Sequence, residues 1–378
     1  MISCPHRPPC PGCPRFGAGA VAPAARAALD ELARECGLPP PDVLEGAPFG
    51  WRVRARLAVR GRARSPKIGL FRAGTHQIVD TPTCRIHHPL VNDVVAALKR
   101  AIRETGTPPY QDGAHRGLVR YVQIVVERTS SRAQVVVVCN DDSPDRVAPL
   151  CAVLAGVLGE RLHSLWWNGQ PEESNTIIGP HWHHVLGDES VRERIGGVDV
   201  HFPPGAFGQA NLDLADGLVE IVGGWLGEAS PVADIYAGCG ALGLPLLARG
   251  ARVHFVERGI ASLRGLALGL AALPEQTRRR ARVHAGDAGS AAVLQALRAN
   301  CRSMVVDPPR RGLDRSLLEA LRSDPPEQLV YVSCGLPAFR LQARELLESG
   351  RMRLSGLHAA ALFPHTDHVE TLARFERV

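Results

Sequence analysis

Residues 231–257 read PVADIYAGCGALGLPLLARGARVHFVE, and this stretch decides the fold class. An apolar strand is followed by a glycine-rich turn, a short helix, and a second apolar strand that ends on Glu257. Strands that alternate with helices at short intervals predict a parallel, doubly wound sheet. Ligands of such sheets bind at the carboxyl ends of the strands. We therefore expect an α/β fold with a Rossmann-like C-terminal domain and a binding site at that edge.

Later predicted strands also end on polar or reactive residues. The segment ARVHAGD ends on Asp287, SMVVD ends on Asp307, and QLVYVSC ends on Cys334. Two further strand-like segments, LSGLHAAALF and HVETLARFERV, close the chain, and Glu370 enters the last of them. Because the carboxyl ends of parallel strands meet at one edge of the sheet, these side chains are predicted to share one cleft.

The turn GCGALG matches the G-x-G-x-x-G spacing by letters, with glycines at 238, 240 and 243. Glycines let the backbone approach a ligand closely, and an acid at the end of the next strand can bind ribose hydroxyls. The turn therefore predicts a nucleotide-type cofactor, with Glu257 as the ribose contact. By spacing alone a nicotinamide-dependent oxidoreductase stays open, although it would leave the motif DPPRRG and Cys334 without a role.

Cys334 stands between a predicted strand and a helix that begins near Pro337. A thiol near a helix N-terminus gains thiolate character and becomes a nucleophile. Most lone cysteines are inert core residues, so the position alone does not decide. Glu370 tips the choice, because a carboxylate in the same cleft could act as a general base.

The start of the chain is rich in cysteine. Of ten cysteines in 378 residues, Cys4, Cys10 and Cys13 follow the spacing C-x5-C-x2-C, and Cys84 lies in TPTC. In a cytosolic chain such cysteines indicate metal binding before disulfides. Four thiolates with one C-x2-C pair fit either zinc or an iron–sulfur cluster, and the spacing leaves both open.

The remaining patterns divide the chain into three parts. Residues 21–36 predict an amphipathic helix, and residues 50–139 predict strands around one helix. The expected parts are an N-terminal cysteine-rich segment with its helix (1–48), a central β-rich domain (49–204) and the doubly wound domain (205–378). The net charge of +6 is compatible with a nucleic-acid partner. Without a signal-like start or a membrane-spanning run, we expect a cytoplasmic monomer with no membrane contact.

Several motifs together resemble one family, the RNA uridine-5-methyltransferases. They are DIYAGCGALGLPLLA, VVDPPRRGL, YVSCGLPAFRLQARELL and LFPHTDHVETLARF, joined by FGQANLDLADGL and by CPHRPPCPGC with TPTC. The resemblance covers the whole chain, and the combination of motifs is highly specific.

This resemblance implies roles for individual residues. Cys334 matches the nucleophile that adds to C6 of a uracil ring, and Glu370 matches the base that removes the proton from C5. S-adenosylmethionine is the implied methyl donor. Gln209, Tyr236, Glu257 and Asp307 match the cofactor contacts of the family, Gly238 lies in the cofactor loop, and Asp287 is a further candidate from its strand-end position.

The resemblance also implies a metal group and a substrate. Cys4, Cys10, Cys13 and Cys84 match the branch with a four-iron, four-sulfur (4Fe–4S) cluster, with zinc as second choice. A cluster that starts at Cys4 leaves no place for the small β-barrel RNA module that often precedes it, so the implied substrate is one uridine of 23S ribosomal RNA. Transfer RNA is second, and a non-catalytic RNA-binding or redox-sensing protein on the same fold is the alternative from another class.

Overall fold

The computed structural model of the chain describes residues 3–227 and 231–378. The first elements are a helix and a short strand, α1 (Pro23–Glu35) and β1 (Asp42–Leu44). The predicted amphipathic helix is thus confirmed, and a proline in its first turn starts it. Within the described part of the chain, no helix is both long and apolar enough to cross a membrane.

The central region is built on a mixed sheet. Its elements are β2 (Arg54–Arg62), β3 (Ser65–Phe71), β4 (Ile78–Asp80), α2 (Pro89–Thr105), β5 (Val119–Glu127), β6 (Arg132–Cys139), α3 (Ala148–Leu158), β7 (Leu162–Gly169) and β8 (His181–Gly187). The strand order is β4-β3-β2-β5-β6-β7-β8. Alternate residues of β2, such as Leu57 and Val59, join the apolar core with α2 and α3, as the period-two pattern predicts.

A hairpin of β9 (Val191–Ile195) and β10 (Val198–Phe202) leads into the C-terminal region. The elements that follow are α4 (Ala215–Leu226), β11 (Val232–Ile235), α5 (Gly243–Ala248), β12 (Val253–Glu257), α6 (Ile260–Ala272), α7 (Glu275–Arg278), β13 (Ala281–Ala285), α8 (Ala291–Asn300), β14 (Ser303–Val306), α9 (Arg315–Ser323), β15 (Gln328–Ser333), α10 (Leu336–Glu348), β16 (Met352–Ala360) and β17 (Glu370–Arg377).

The C-terminal sheet has the order β1-β16-β17-β15-β14-β11-β12-β13. Strands β11 to β15 are parallel, and β17 runs antiparallel between β15 and β16. The chain proceeds outward from β11 to β12 and β13, then returns to β14 on the other side of β11. The carboxyl ends of β11 and β14 therefore flank the switch point where such sheets bind ligands. The predicted α/β fold with a Rossmann-like C-terminal domain is confirmed.

The N-terminal elements pack on the C-terminal sheet. Strand β1 pairs in parallel with β16, with Leu44 opposite Ala360. Helix α1 buries Leu29 and Leu32 in the apolar core that also contains Phe339 of α10. The expected segment 1–48 therefore contributes a strand and a helix to the last part of the chain, a packing that no pattern in these residues predicts. The proposed boundaries near 49 and 205 stay a prediction.

Candidate active site

A cavity of about 460 Å³ opens at the carboxyl ends of the parallel strands. The loop after β10 and the strand ends supply its walls, because each parallel strand delivers its last residues to the same edge. The sequence-predicted residues on the wall are Gln209, Tyr236, Gly238, Glu257, Asp287, Asp307 and Cys334. Residues that the sequence reasoning did not single out also line it, namely Phe207, Arg310, Asp314 and Phe363.

Glu257 is held firmly by backbone donors. Its Oε2 accepts a hydrogen bond from the backbone N–H of Gly238 at 2.8 Å, which joins the end of β12 to the glycine turn after β11. Its Oε1 accepts from the N–H groups of Arg258 at 2.8 Å and Gly259 at 2.6 Å. Backbone donors fix the carboxylate without using a side-chain cation. The carboxylate therefore faces the cavity in one orientation.

Tyr236 ends β11 in a strained conformation. Its φ is 62°, in the left-handed region that residues other than glycine rarely adopt. The hydroxyl donates to Oδ2 of Asp314 at 3.0 Å and accepts from the backbone N–H of Asp314 at 3.1 Å. These two bonds hold the ring against the cavity, and burial raises the pKa of the phenol. Asp314 directly precedes α9, and its carboxyl group accepts from Tyr236 and Arg311 instead of capping the helix, so no sequence pattern marked it.

Cys334 lies between β15 and α10, half-buried at the mouth of the sheet. Burial, followed by the charges of Glu370 and Asp307, raises the pKa of its thiol to about 11, although the guanidinium of Arg310 opposes this rise. The expectation that the helix N-terminus makes this thiol a thiolate is therefore wrong for the free protein. Burial beside two carboxyl groups outweighs the helix end, so Cys334 carries its proton at neutral pH.

Glu370 does not line the cavity but is completely buried at the start of β17, next to the strand end that carries Cys334, since Thr371 pairs with Ser333. Neither oxygen of its carboxyl group has a hydrogen-bond partner among the residues that the structure describes. Burial and the nearby Asp307 raise its pKa well above the ordinary value. Burial likewise raises the pKa of Asp307 to about 7. A thiol, two acids with raised pKa values and one arginine thus meet at one point, the pattern typical of catalytic sites.

A second cavity, of about 220 Å³, lies among the other predicted cysteines. Cys4, Cys10, Cys13 and Cys84 all line it. A backbone turn positions the N-terminal cysteines, since the N–H of Cys10 donates to the carbonyl of His6 at 2.8 Å. Asn92, at the start of α2, donates from Nδ2 to the carbonyl of Cys84 at 3.0 Å. The fold therefore brings residue 84 to the N-terminal cysteines.

The environment of the four thiols is both crowded and cationic. Burial and the negative charge of the other three thiols raise the pKa of Cys13 to about 11. Arg7, Arg52 and Arg85 line the same cavity. Across residues 3–227 and 231–378, no three or more His, Cys, Asp or Glu side chains converge closely enough to hold a single metal ion.

Comparison with known proteins places the chain among methyltransferases. The sequence model of the tRNA (uracil-5-)-methyltransferase family matches residues 292–378. An uncharacterised RNA methyltransferase of Protochlamydia amoebophila is 33% identical over 385 residues, covering 100% of this chain and 98% of that protein. An uncharacterised RNA methyltransferase of Parasynechococcus marenigrum is 31% identical over 87% of this chain and 71% of its own length.

A solved structure has the same fold. It is the tRNA (uracil-54, C5)-methyltransferase of Pyrococcus abyssi in complex with S-adenosyl-L-homocysteine, with a TM-score of 0.74 and 24% identity over 93% of this chain and 83% of that one. The doubly wound sheet with its strand-end cavity is therefore a methyltransferase fold, and the relatives show that the chain is an RNA methyltransferase. The chain belongs to the RNA uridine-5-methyltransferase family. The family and the enzyme class expected from the motifs are confirmed, and the nicotinamide-dependent alternative is wrong.

Proposed function

We propose that the protein transfers a methyl group to C5 of a uridine in RNA, through a covalent bond between Cys334 and C6 of the uracil. One observation carries the proposal. The half-buried thiol of Cys334 neighbours the fully buried carboxyl group of Glu370, because Ser333 pairs with Thr371, and this carboxyl group has no hydrogen-bond partner in the described part of the chain. A buried carboxyl group without a partner is costly for a fold, so its retention beside a thiol points to a chemical role.

The chemistry explains why both groups are needed. C5 of uracil is a poor nucleophile until C6 is occupied. Attack of the Cys334 sulfur on C6 forms the S–C6 bond and moves the C5=C6 electron pair to C5. C5 then takes the methyl group, and the bond from that methyl group to the sulfonium sulfur breaks with its electron pair staying on sulfur, so that S-adenosylhomocysteine leaves. Glu370 next accepts the proton from C5. The C–H electrons rebuild the C5=C6 bond, the C6–S bond breaks, and Cys334 leaves with the electron pair as thiolate.

The strand-end cavity fits the methyl donor. Its volume lies within the range of small-molecule sites, and Glu257 offers a backbone-fixed carboxylate for ribose hydroxyls. Gln209, Tyr236, Gly238, Asp287 and Asp307 are the other residues that would hold it. When bound, S-adenosylmethionine supplies a methyl group on a sulfonium whose positive charge favours the ionised forms of nearby acids.

Before the substrates bind, the nucleophile is protonated, so binding must change the protonation of the site. Cys334, whose pKa is raised to about 11, carries its proton at neutral pH, and burial raises the pKa of Glu370 well above its ordinary value. Asp307, with a pKa of about 7, is the neighbouring group able to accept the thiol proton. Arg310 stabilises the resulting thiolate. The positive charge of the bound sulfonium would favour release of any Glu370 proton to water, which leaves the carboxylate free to act as a base. Nucleophile and base are thus activated on binding, which limits reaction of the thiol in the free protein.

The cysteine cavity suits an iron–sulfur cluster better than one zinc ion. With Zn–S bonds of about 2.3 Å, four sulfurs around zinc would lie roughly 3.8 Å apart. Such a close group does not occur in the described residues. A four-iron cluster binds each thiolate at a different corner of a larger core. Cys4, Cys10, Cys13 and Cys84 would hold it, and the four arginines that line the cavity, Arg7, Arg52, Arg56 and Arg85, would offset its negative charge.

Ribosomal RNA is the substrate that we favour. The four-cysteine cavity supports this choice, because the cluster-bearing members that the motifs resemble act on 23S ribosomal RNA. Transfer RNA is the second candidate, since both the matched family and the solved relative carry it in their descriptions. Mapping 5-methyluridine in RNA from a deletion strain separates them, because the missing methyl group would lie in one RNA or the other.

Two variants test the mechanism. Purified protein is incubated with cellular RNA and methyl-labelled S-adenosylmethionine, and protein–RNA adducts that survive denaturation are counted. Glu370→Gln should accumulate the adduct because elimination needs the base, whereas Cys334→Ala should form none. Equal behaviour of the two variants would show that the roles are assigned wrongly. No transfer to any RNA by the unchanged protein would favour the non-catalytic alternative.

A further inference from the structure

The loop between β16 and β17, residues 361–369, separates the two cavities; we call it the base loop because it ends directly before Glu370. Phe363 of this loop lines the strand-end cavity, whereas Pro364 and Thr366 line the cysteine cavity. The loop is therefore a wall shared by both cavities. A shift of this wall would move the carboxyl group of Glu370, since the base follows the loop without an intervening residue.

His365 lies at the centre of the base loop in a conformation that needs support. Its φ is 69°, in the left-handed region, and its side chain is almost fully buried. Its Nε2 donates to the carbonyl of Pro48 at 3.0 Å, and its Nδ1 accepts from the N–H of Gly17 at 3.3 Å. A carbonyl on one ring nitrogen and an N–H group on the other fix the orientation of the ring.

Aromatic packing holds the same ring. The ring centroid of His365 lies 5.0 Å from that of Phe49 and 5.2 Å from that of Phe16. Phe16 and Phe49 also contact each other, at 5.8 Å. Three rings from three separate segments thus pack together at the centre of the loop. Such over-determined contacts are what keeps a residue in a rarely populated backbone conformation.

Residues 4–15, which carry three of the cysteines and which we call the cysteine segment, also contact the base loop through the backbone. The N–H of Arg15 donates to the carbonyl of His365 at 3.0 Å, and Nη1 of Arg15 lies 3.6 Å from Oδ1 of Asp367. Arg15 follows Cys13 by two residues. The chain that carries three cysteines of the second cavity therefore continues directly into the contacts that hold the base loop.

We propose that His365 is a positioning residue that fixes Glu370 for proton removal from C5 and ties the base to the cysteine segment. The inference rests on the proposed function. His365 itself touches neither cavity's contents, and it acts through the loop. Its loss should slow the elimination that needs Glu370 more than the addition of Cys334, since Cys334 belongs to a different element, after β15. The methylated RNA adduct should then accumulate.

The variant His365→Asn tests this role. Asparagine tolerates the left-handed conformation but is too short to bridge Pro48 and Gly17 or to fill the aromatic cluster. We expect kcat to fall by about ten- to a hundredfold, as for a misplaced catalytic group. The KM for RNA should change by no more than about twofold, because substrate contacts remain. The fraction of enzyme trapped as a denaturation-resistant adduct should rise. His76→Asn, at an exposed histidine in the hairpin between β3 and β4, is the matched control and should match the unchanged protein.

Metal content is the second readout, measured as iron, acid-labile sulfide and zinc per chain. It should be unchanged in His365→Asn. A loss of metal in proportion to activity would overturn the proposal, since His365 would then only support the cysteine segment. An unchanged kcat and adduct fraction would overturn it too. If the Asn variant does not fold, Phe49→Leu replaces it, with the same rise in adduct expected, and a normal adduct fraction contradicts the proposal. Failure of the unchanged protein to methylate any RNA, together with failure of Glu370→Gln to form any adduct, would instead refute the proposed function.

Discussion

Both cavities of this protein contain a cysteine thiol, but the charged groups around the thiol differ between them. Cys334 and Cys13 are both half-buried, and burial raises both thiol pKa values to about 11. After burial, the charges of Glu370 and Asp307 raise the pKa of Cys334 most, and Arg310 lowers it. After burial, the charges of the other three thiols raise the pKa of Cys13 most. The raised pKa values are therefore alike, and only the neighbours distinguish the two sites.

The role of a buried cysteine can therefore be inferred from the charged groups next to its thiol. A thiol beside carboxyl groups can exchange protons with them and react with a carbon electrophile. Thiols beside each other repel as thiolates and need a bound cation or cluster to hold their charges together. Burial alone describes both sites as inert. The identity of the nearest charged groups separates a proposed nucleophile from a proposed set of ligands.

The largest expected effect comes from the same substitution at the two sites. Cys334→Ser should lower methyl transfer by at least about a thousandfold, because a hydroxyl is a far weaker nucleophile than a thiol, and leave the metal content unchanged. Cys84→Ser should lower the metal content and leave binding of S-adenosylhomocysteine unchanged. Labelled methyl transfer, metal analysis and calorimetry measure the three quantities. Loss of metal from the Cys334 variant, or a full metal content in the Cys84 variant, would show that the two cavities do not have the separate roles proposed for them.

A smaller effect should follow from changing the carboxylate on the cofactor side of the strand-end cavity. In Glu257→Gln, the amide NH2 would meet one of the three backbone N–H groups that the carboxylate now accepts. We expect affinity for S-adenosylhomocysteine to fall by about ten- to a hundredfold, the cost of one or two charged hydrogen bonds. Calorimetric titration measures it. Asp287→Asn is the control and should have a smaller effect, since Asp287 is exposed and paired with Arg258. Equal losses would mean that Glu257 has no special role.

The ionisation of Cys334 gives a prediction in the free protein. With a pKa of about 11, its alkylation rate should rise steadily between pH 7 and pH 10 without levelling off. Arg310→Ala removes the cation that lowers this pKa, so the pKa should rise and alkylation at pH 9 should slow by about three- to tenfold. Peptide mapping by mass spectrometry isolates the Cys334 rate. Arg315→Ala, a surface arginine outside the cavity, should not change it. Faster alkylation in Arg310→Ala would refute the assigned charge effect.

Much of the site followed from the sequence because strand ends can be read from periodicity. Glu257, Asp307 and Cys334 each close an apolar run, and parallel strands bring such ends together. The pKa of Cys334 could not be read in the same way. The helix start is local in sequence, but the burial and the carboxyl group of Glu370 come from β17, which is distant along the chain.

Other features depended on contacts between distant segments. The pairing of β1 with β16 joins residue 42 to residue 358, and three residues are too few for a periodic signal. His365 carries no signal either, because its partners Gly17 and Pro48 lie more than three hundred residues away. Sequence reasoning found the chemical groups at strand ends. It missed the contacts that hold them in place.

The smallest predicted effect concerns Asp234, which is buried beneath the strand-end cavity in β11. Burial, followed by the charge of Asp307, raises its pKa to about 8, and its Oδ2 has no hydrogen-bond partner among the described residues. Between about pH 4 and pH 8 the unfolded chain releases this proton while the folded chain keeps it, so Asp234 lowers stability as the pH rises. Asp234→Asn removes this cost. The free energy of unfolding of the variant, relative to the unchanged protein, should therefore increase from pH 5 to pH 8 and reach a gain of about 1–3 kcal/mol.

Urea unfolding at both pH values measures this change, and Asp142→Asn, at an exposed loop aspartate, is the control with no pH-dependent difference expected. A variant that is less stable than the unchanged protein at pH 8 would show that the hydrogen bond from the backbone of Gly243 to an ionised Asp234 outweighs its burial. That result would also sharpen the comparison of the two cavities. An acid kept charged beneath the strand-end cavity would add to the negative charge near Cys334 and strengthen the need for a cation before the thiol can react.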